Sequence, residues 1–266
     1  MKLAVLVLPL VAACQASGSG DYPIGPGGGG PVVSGGSGGG GGDAGTGGGG
    51  GGGLPVDGRV CLLKDLRHMT ECSDVGADGL VVALAVGNPQ TVRVTAMTTD
   101  GAGHFSIVPP LCTDCTWRVT STTDQRIVRS LMPFGTDPTI PVIGFDDYTA
   151  LLGANGQVLA DQGSVVVRVM SGATPAAQVT VTATTLALDV ALADAVFYDS
   201  DNSKDVWNQT QTQSSGVVWL PLVPLSATPS PTTSGTITLA RQTGGTVTTT
   251  ATILSAWITF LTTDIP

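Results

Sequence analysis

The chain has 266 residues, 42% of them hydrophobic, 12% charged and 5% aromatic, with 38 glycines and a formal net charge of −9. Eleven lysines and arginines against twenty acids leave no electrostatic footprint for nucleic acid. The same deficit removes charge attraction to an anionic membrane surface. Nineteen of the acids are Asp and only Glu71 is Glu, while the lysines are Lys2, Lys64 and Lys204. Charged helix formers are thus nearly missing and β-branched residues abound, which predicts an all-β chain.

Lys2 opens a short positive region, Leu3 to Val11 form an apolar stretch, and Val11-Ala12-Ala13-Cys14 closes it, the order of an export signal. A cysteine directly after the small residues resembles the lipobox of bacterial lipoproteins, whose signal is cut before a lipid-modified cysteine. The resemblance implies that residues 1–13 are a lipoprotein signal peptide and that Cys14 is lipidated. Gln15 stands where an Asp would mark inner-membrane retention, so the resemblance implies the outer membrane of a diderm bacterium, at the cell surface or periplasmic face. Residues 14–56 are then the lipidated cysteine and a disordered Gly-rich linker, with twenty-two glycines between 15 and 56. Forty-two such residues have an r.m.s. span of about 35 Å, enough to lift a domain clear of lipid headgroups. Gly35-Gly36-Ser37-Gly38-Gly39 matches the serine-hydrolase elbow by low complexity alone, since no strand precedes it and no helix follows. Ile253 to Leu261 is too short to span a bilayer and reads as buried strand, so attachment rests on lipid.

Strand signals begin at Gly58. Arg59–Leu63, the apolar run Leu80–Val86, the alternating Thr91–Met97, His104–Ile107, Thr116–Thr120, Arg126–Leu131 and Thr139–Ile143 follow at short spacing between Gly, Pro and Asp. This pattern predicts a sandwich over residues 57–147. Asp146–Leu152 reads as a short helix with acids at its start and Gly153 at its end, and residues 148–159 as a hinge. Strands resume over 160–266, at Ser164–Val169, Gln178–Ala183, Ala195–Tyr198, Gly216–Leu220, Thr236–Leu239, Thr248–Ile253 and Ala256–Leu261, predicting a second, divergent β-sandwich.

The halves read as divergent copies. Thr98 to Pro110, with Gly103 and a short apolar strand before prolines, has a counterpart in Thr210 to Pro224, with Gly216 in the same role. The Gly58-Arg59-Val60 opening, the Thr99-Asp100-Gly101-x-Gly103-x-Phe105 core and Pro109-Pro110 resemble the carboxypeptidase-regulatory-like (transthyretin-like) domain. The resemblance covers 57–147 and, more weakly, 160–266, where Ser214 and Trp219 or their neighbours replace the motif's Asp and Phe. It implies tandem seven-stranded Ig-like sandwiches of a mostly non-catalytic kind, appended to exported or surface proteins.

Four cysteines remain beside Cys14. An even set in an exported chain implies disulfides, with Cys112-Thr113-Asp114-Cys115 closing a turn and Cys61–Cys72 as the second bridge. A redox CxxC wants a helix N-terminus, whereas Pro109-Pro110 precede Cys112 and a strand follows Cys115. A four-cysteine zinc site lacks a second CxxC. Asp199, Asp201 and Asp205 place oxygen ligands at alternate positions and form a weak calcium candidate, without the Gly and Glu of an EF-hand loop. His104 and Ser106 share one strand face and do not make a triad. Trp117, Trp219 and Trp257 fall in strands and read as core. Trp207, between the Asp-rich turn and Asn208, reads as exposed and able to stack on a sugar ring.

These readings converge on a lipid-anchored cell-envelope protein that presents two Ig-like modules and is not an enzyme. Its role is binding or structural, with membrane attachment through lipid, an envelope protein or glycan as partner, no nucleic acid and no cofactor. The alternatives are an accessory subunit of an outer-membrane uptake system, or an envelope thiol-redox enzyme using Cys112 and Cys115.

Overall fold

A computed structural model describes residues 54–87, 91–110, 114–123, 126–135, 138–153, 161–200, 207, 210–225 and 232–266. In the N-terminal half the elements are β1 (Val56–Leu63), β2 (Leu80–Val86), β3 (Thr91–Met97), β4 (His104–Ile107), β5 (Cys115–Ser121), β6 (Ile127–Pro133), β7 (Thr139–Gly144) and the helix α1 (Phe145–Leu152). In the C-terminal half they are β8 (Gln162–Ser171), β9 (Thr174–Pro175), β10 (Val179–Thr184), α2 (Leu192–Ala195), β11 (Phe197–Tyr198), β12 (Val217–Pro224), β13 (Thr232–Arg241), β14 (Thr246–Leu254) and β15 (Trp257–Asp264). The fold is all-β. The signal segment, Cys14 and the Gly35–Gly39 run lie outside the described residues.

One wiring is used twice. β1 pairs antiparallel with β4 and parallel with β7, and β8 pairs antiparallel with β12 and parallel with β15. Packed on these, β5 lies between β2 and β6, and β13 between β10 and β14, all antiparallel. Strand alternation then sorts the side chains. Val60, Phe105, Ile107, Ile140 and Val142 pack with Leu80, Val82, Leu84, Trp117 and Val119 in one core. Val165, Val167, Val169, Val218 and Leu220 pack with Val179, Val181, Ile237, Leu239 and Ile253 in another.

The correspondence extends to single hydrogen bonds. Val60 N donates to Gly103 O and Val169 N to Gly216 O, each at 2.8 Å. Both glycines have positive φ, +85° and +64°. A Cβ on either would lie 2.3 Å from Val60 O or 2.5 Å from Val169 O, so both the conformation and the close approach require glycine. Leu80 N donates to the Thr98 hydroxyl at 2.8 Å, and Val179 N to the Thr212 hydroxyl at 3.0 Å. Counting from the two glycines, Phe105 corresponds to Val218, since both enter the cores. Trp219, expected near the Phe105 position, is one residue further on and faces the other way.

That other direction is a third apolar layer between the halves. Cys61 and Leu63 of β1, Ile143 of β7 and Tyr148 of α1 pack against Val166, Trp219, Ile258 and Phe260 of β8, β12 and β15. The strands at this seam are therefore apolar on both faces. Ser164 and Val166, which alternate with the Val165/Val167/Val169 face, are buried too. β15 also joins the halves by backbone pairing, running parallel to β6 at Trp257–Thr259 and to β8 at Ile258–Asp264. α1 begins at Phe145 and puts Tyr148, 2% exposed, into the seam; residues 154–160 lie outside the described residues.

Candidate functional site

At one margin of the seam a cavity of about 350 Å³ opens between α1, the start of β8, the 189–195 segment and β12. Its apolar walls include Leu152, Phe197, Trp207, Trp219 and Leu222. β12 can reach past Pro221 because its register shifts between Leu220 and Val223, so the missing proline N–H falls where the ladder is already interrupted. That irregular stretch sets Pro221 and Leu222 in the wall.

Trp219 organises the aromatic floor. Its ring centroid lies 4.8 Å from Trp207, 5.8 Å from Phe197 and 5.9 Å from Tyr148, the last edge-on at 69°. Its Nε1 donates to Ser164 Oγ at 3.0 Å. The Tyr148 hydroxyl donates to Pro221 O at 3.4 Å, and burial pushes its pKa up to about 12. Trp207 is half-buried, not exposed as its sequence context predicts. Besides meeting Trp219, it carries the Arg67 guanidinium 5.6 Å from its ring centre. Arg67 is itself 3% exposed and is held by the Asp65 carboxylate at 2.5 Å and 2.9 Å.

Among the described residues of the lining, two carry a buried polar atom without a partner. Trp207 Nε1 and Gln162 Oε1 are both buried without a hydrogen bond. An unmatched buried donor or acceptor costs about 1–3 kcal/mol. Here one is a donor and the other an acceptor. Asp189 and Asp194 stand exposed at the rim beside Val190 and Leu222, which are 55% and 39% exposed. The arrangement suits a ligand with a flat apolar face and hydroxyls around its edge.

The other residues singled out from sequence lie elsewhere. Cys61 and Cys72 form a disulfide with Cα atoms 4.8 Å apart, beneath the seam. Cys115 is disulfide-bonded as well; Cys112, its expected partner, is outside the described residues. The Asp199 carboxylate, 1% exposed, accepts the backbone N–H groups of Gln213, Ser215 and Val217 at 3.1, 2.7 and 3.0 Å. It organises the turn before Gly216, and burial raises its pKa despite those bonds. Asp201 and Asp205 are outside the described residues. In the first half the equivalent turn is held locally: Asp100 accepts His104 N at 3.0 Å and lies 2.6 Å from His104 Nδ1, an interaction that lowers its pKa.

The sequence gives no signal for Gln162 or Arg67 as members of this region, because both are brought in by tertiary contact. Phe197 lies in a predicted strand, and only its register against Trp219 turns it toward the pocket. No protein-family model matches the chain, and no curated protein matches it significantly.

Proposed function

We propose that the chain is an exported, lipid-anchored envelope protein whose paired transthyretin-like modules bind a saccharide ring in the seam pocket, without catalysis. The observation that carries the ligand class is the unmatched pair, Trp207 Nε1 and Gln162 Oε1, beside the mutually tilted rings of Trp207 and Trp219. A sugar ring offers a hydroxyl oxygen to the indole N–H, a hydroxyl proton to the amide oxygen and an apolar face to the aromatics. The Asp189 and Asp194 carboxylates at the rim are further acceptors for hydroxyl protons.

The repeated wiring supports the tandem-module reading, and the Cys61–Cys72 disulfide fits an oxidising compartment. The anchor rests on Cys14 and the apolar stretch before it.

Tryptophan fluorescence of the full chain, titrated with cellobiose, maltose and N,N′-diacetylchitobiose, tests the ligand class. At least one sugar is expected to shift or quench the emission saturably, with glycerol inert and Trp207→Ala abolishing the response. No saturable change with any of the three up to millimolar concentration would overturn the ligand assignment. Separately, failure of labelled palmitate to enter the protein, or a Cys14→Ala form that stays membrane-bound, would overturn the anchor.

A further inference from the structure

Six residues along β8 from Gln162, about 20 Å of extended strand, Arg168 faces a different opening in the same seam. This groove encloses about 580 Å³ between the 69–72 segment, the end of β6, β7 and β15. Its lining is dominated by Met69, Met132, Phe134, Pro141 and Phe260, with the Thr70 and Thr262 hydroxyls at its side. Among the described residues that line it, Arg168 is the only charged one.

Arg59, Arg67 and Arg126 each meet an aspartate, Asp74, Asp65 and Asp78. Arg168 is half-buried, and no carboxylate of the described residues lies within ion-pair distance of it. A cation partly withdrawn from water among apolar side chains is costly unless something compensates it. Methionines flank it, and these adapt to irregular apolar ligands.

We infer that this groove is a second binding site, for a small amphiphilic carboxylate whose head group pairs with Arg168 and whose apolar tail packs on Met69, Met132 and Phe260. The planar guanidinium matches one carboxylate in a two-point contact. A single cation in a chain of net charge −9 favours a monoanion over a more highly charged head group. The volume falls in the range of small-molecule sites.

Calorimetric titration of the full chain with hexanoate, octanoate, decanoate and 1-octanol tests the assignment. Affinity is expected to rise about fourfold per added methylene. Octanoate is expected to bind about tenfold or more tighter than 1-octanol, with the preference shrinking as salt is added. Arg168→Met is expected to abolish that preference while leaving the protein at least as resistant to urea, because an uncompensated charge has been removed. Octanoate binding no tighter than 1-octanol in the parent chain overturns the inference, whether or not the variant folds. A folded Arg168→Met chain that keeps the full preference overturns it equally.

Discussion

Raising the pH should loosen the seam, and Tyr148 says by how much. Its side chain is 2% exposed, edge-on to Trp219, with a long 3.4 Å hydrogen bond to Pro221 O. Burial moves its pKa from 10.0 to about 12, because the phenolate is disfavoured in an apolar layer. Below pH 10 the phenol is protonated in both folded and unfolded chains and the group has no pH dependence. Between pH 10 and 12 the unfolded chain loses the proton while the folded chain keeps it, so unfolding is favoured as pH rises. The gap of two pH units corresponds to roughly 2.7 kcal/mol, fully lost above pH 12. Urea unfolding followed by tryptophan fluorescence, on the parent and on Tyr148→Phe, isolates the effect. Tyr198 is also raised by burial but is common to both chains and cancels. At pH 8 the variant should lie within about 1 kcal/mol of the parent, since the lost hydrogen bond is poor. Between pH 9.5 and 12 the parent should lose about 2–3 kcal/mol more than the variant. Equal losses in the two chains would refute the reasoning, since they would mean that water reaches the hydroxyl and the seam is open.

Two further substitutions probe the repeated turns. Gly216→Ala combines a left-handed conformation, costing about 1–2 kcal/mol, with a Cβ 2.5 Å from Val169 O; a total loss of about 3 kcal/mol or more is expected by urea unfolding. Gly172→Ala, at φ +62° with nothing within 4 Å, is the control and should cost only about 1 kcal/mol; equal effects would show that the close approach is unimportant. Asp199→Ala leaves three backbone N–H groups without their acceptor and should cost about 3 kcal/mol. Thermal unfolding within 2 °C of the parent would contradict that.

Local pattern carried far in the first half. Leu80–Val86, Thr91–Met97 and His104–Ile107 are strands with the boundaries their flanking Gly and Asp residues predict. In the second half the bounds differ more: β12 continues through Pro221 to Pro224, because a bulge absorbs the missing donor, while the expected strand Ala195–Tyr198 shrinks to Phe197–Tyr198, since Ala195 ends α2. α2 is four residues and leaves no periodic signal. The burial of Trp207 departs from its sequence context for a physical reason. Its polar neighbours predict exposure, whereas tertiary contact sets Trp219 and Arg67 against its ring. The seam is equally a matter of tertiary contact. A run such as Val165-Val166-Val167 shows that both strand faces are apolar, but not what meets the second face.

What meets it is the other half of the chain, and this decides how the protein can be assembled and used. Separated, each half would present a broad apolar face, one bearing Leu63, Ile143 and Tyr148, the other Val166, Trp219 and Phe260, of the kind that soluble monomers rarely expose. Neither cavity would then be enclosed, because α1 walls off the first from one side and Arg168 reaches the second from the other. β15 has to be in place for either half to be complete: without it, β6 and β8 both keep an unpaired edge and Ile258 and Phe260 leave the seam. The two halves thus share one apolar layer and one strand that pairs with both.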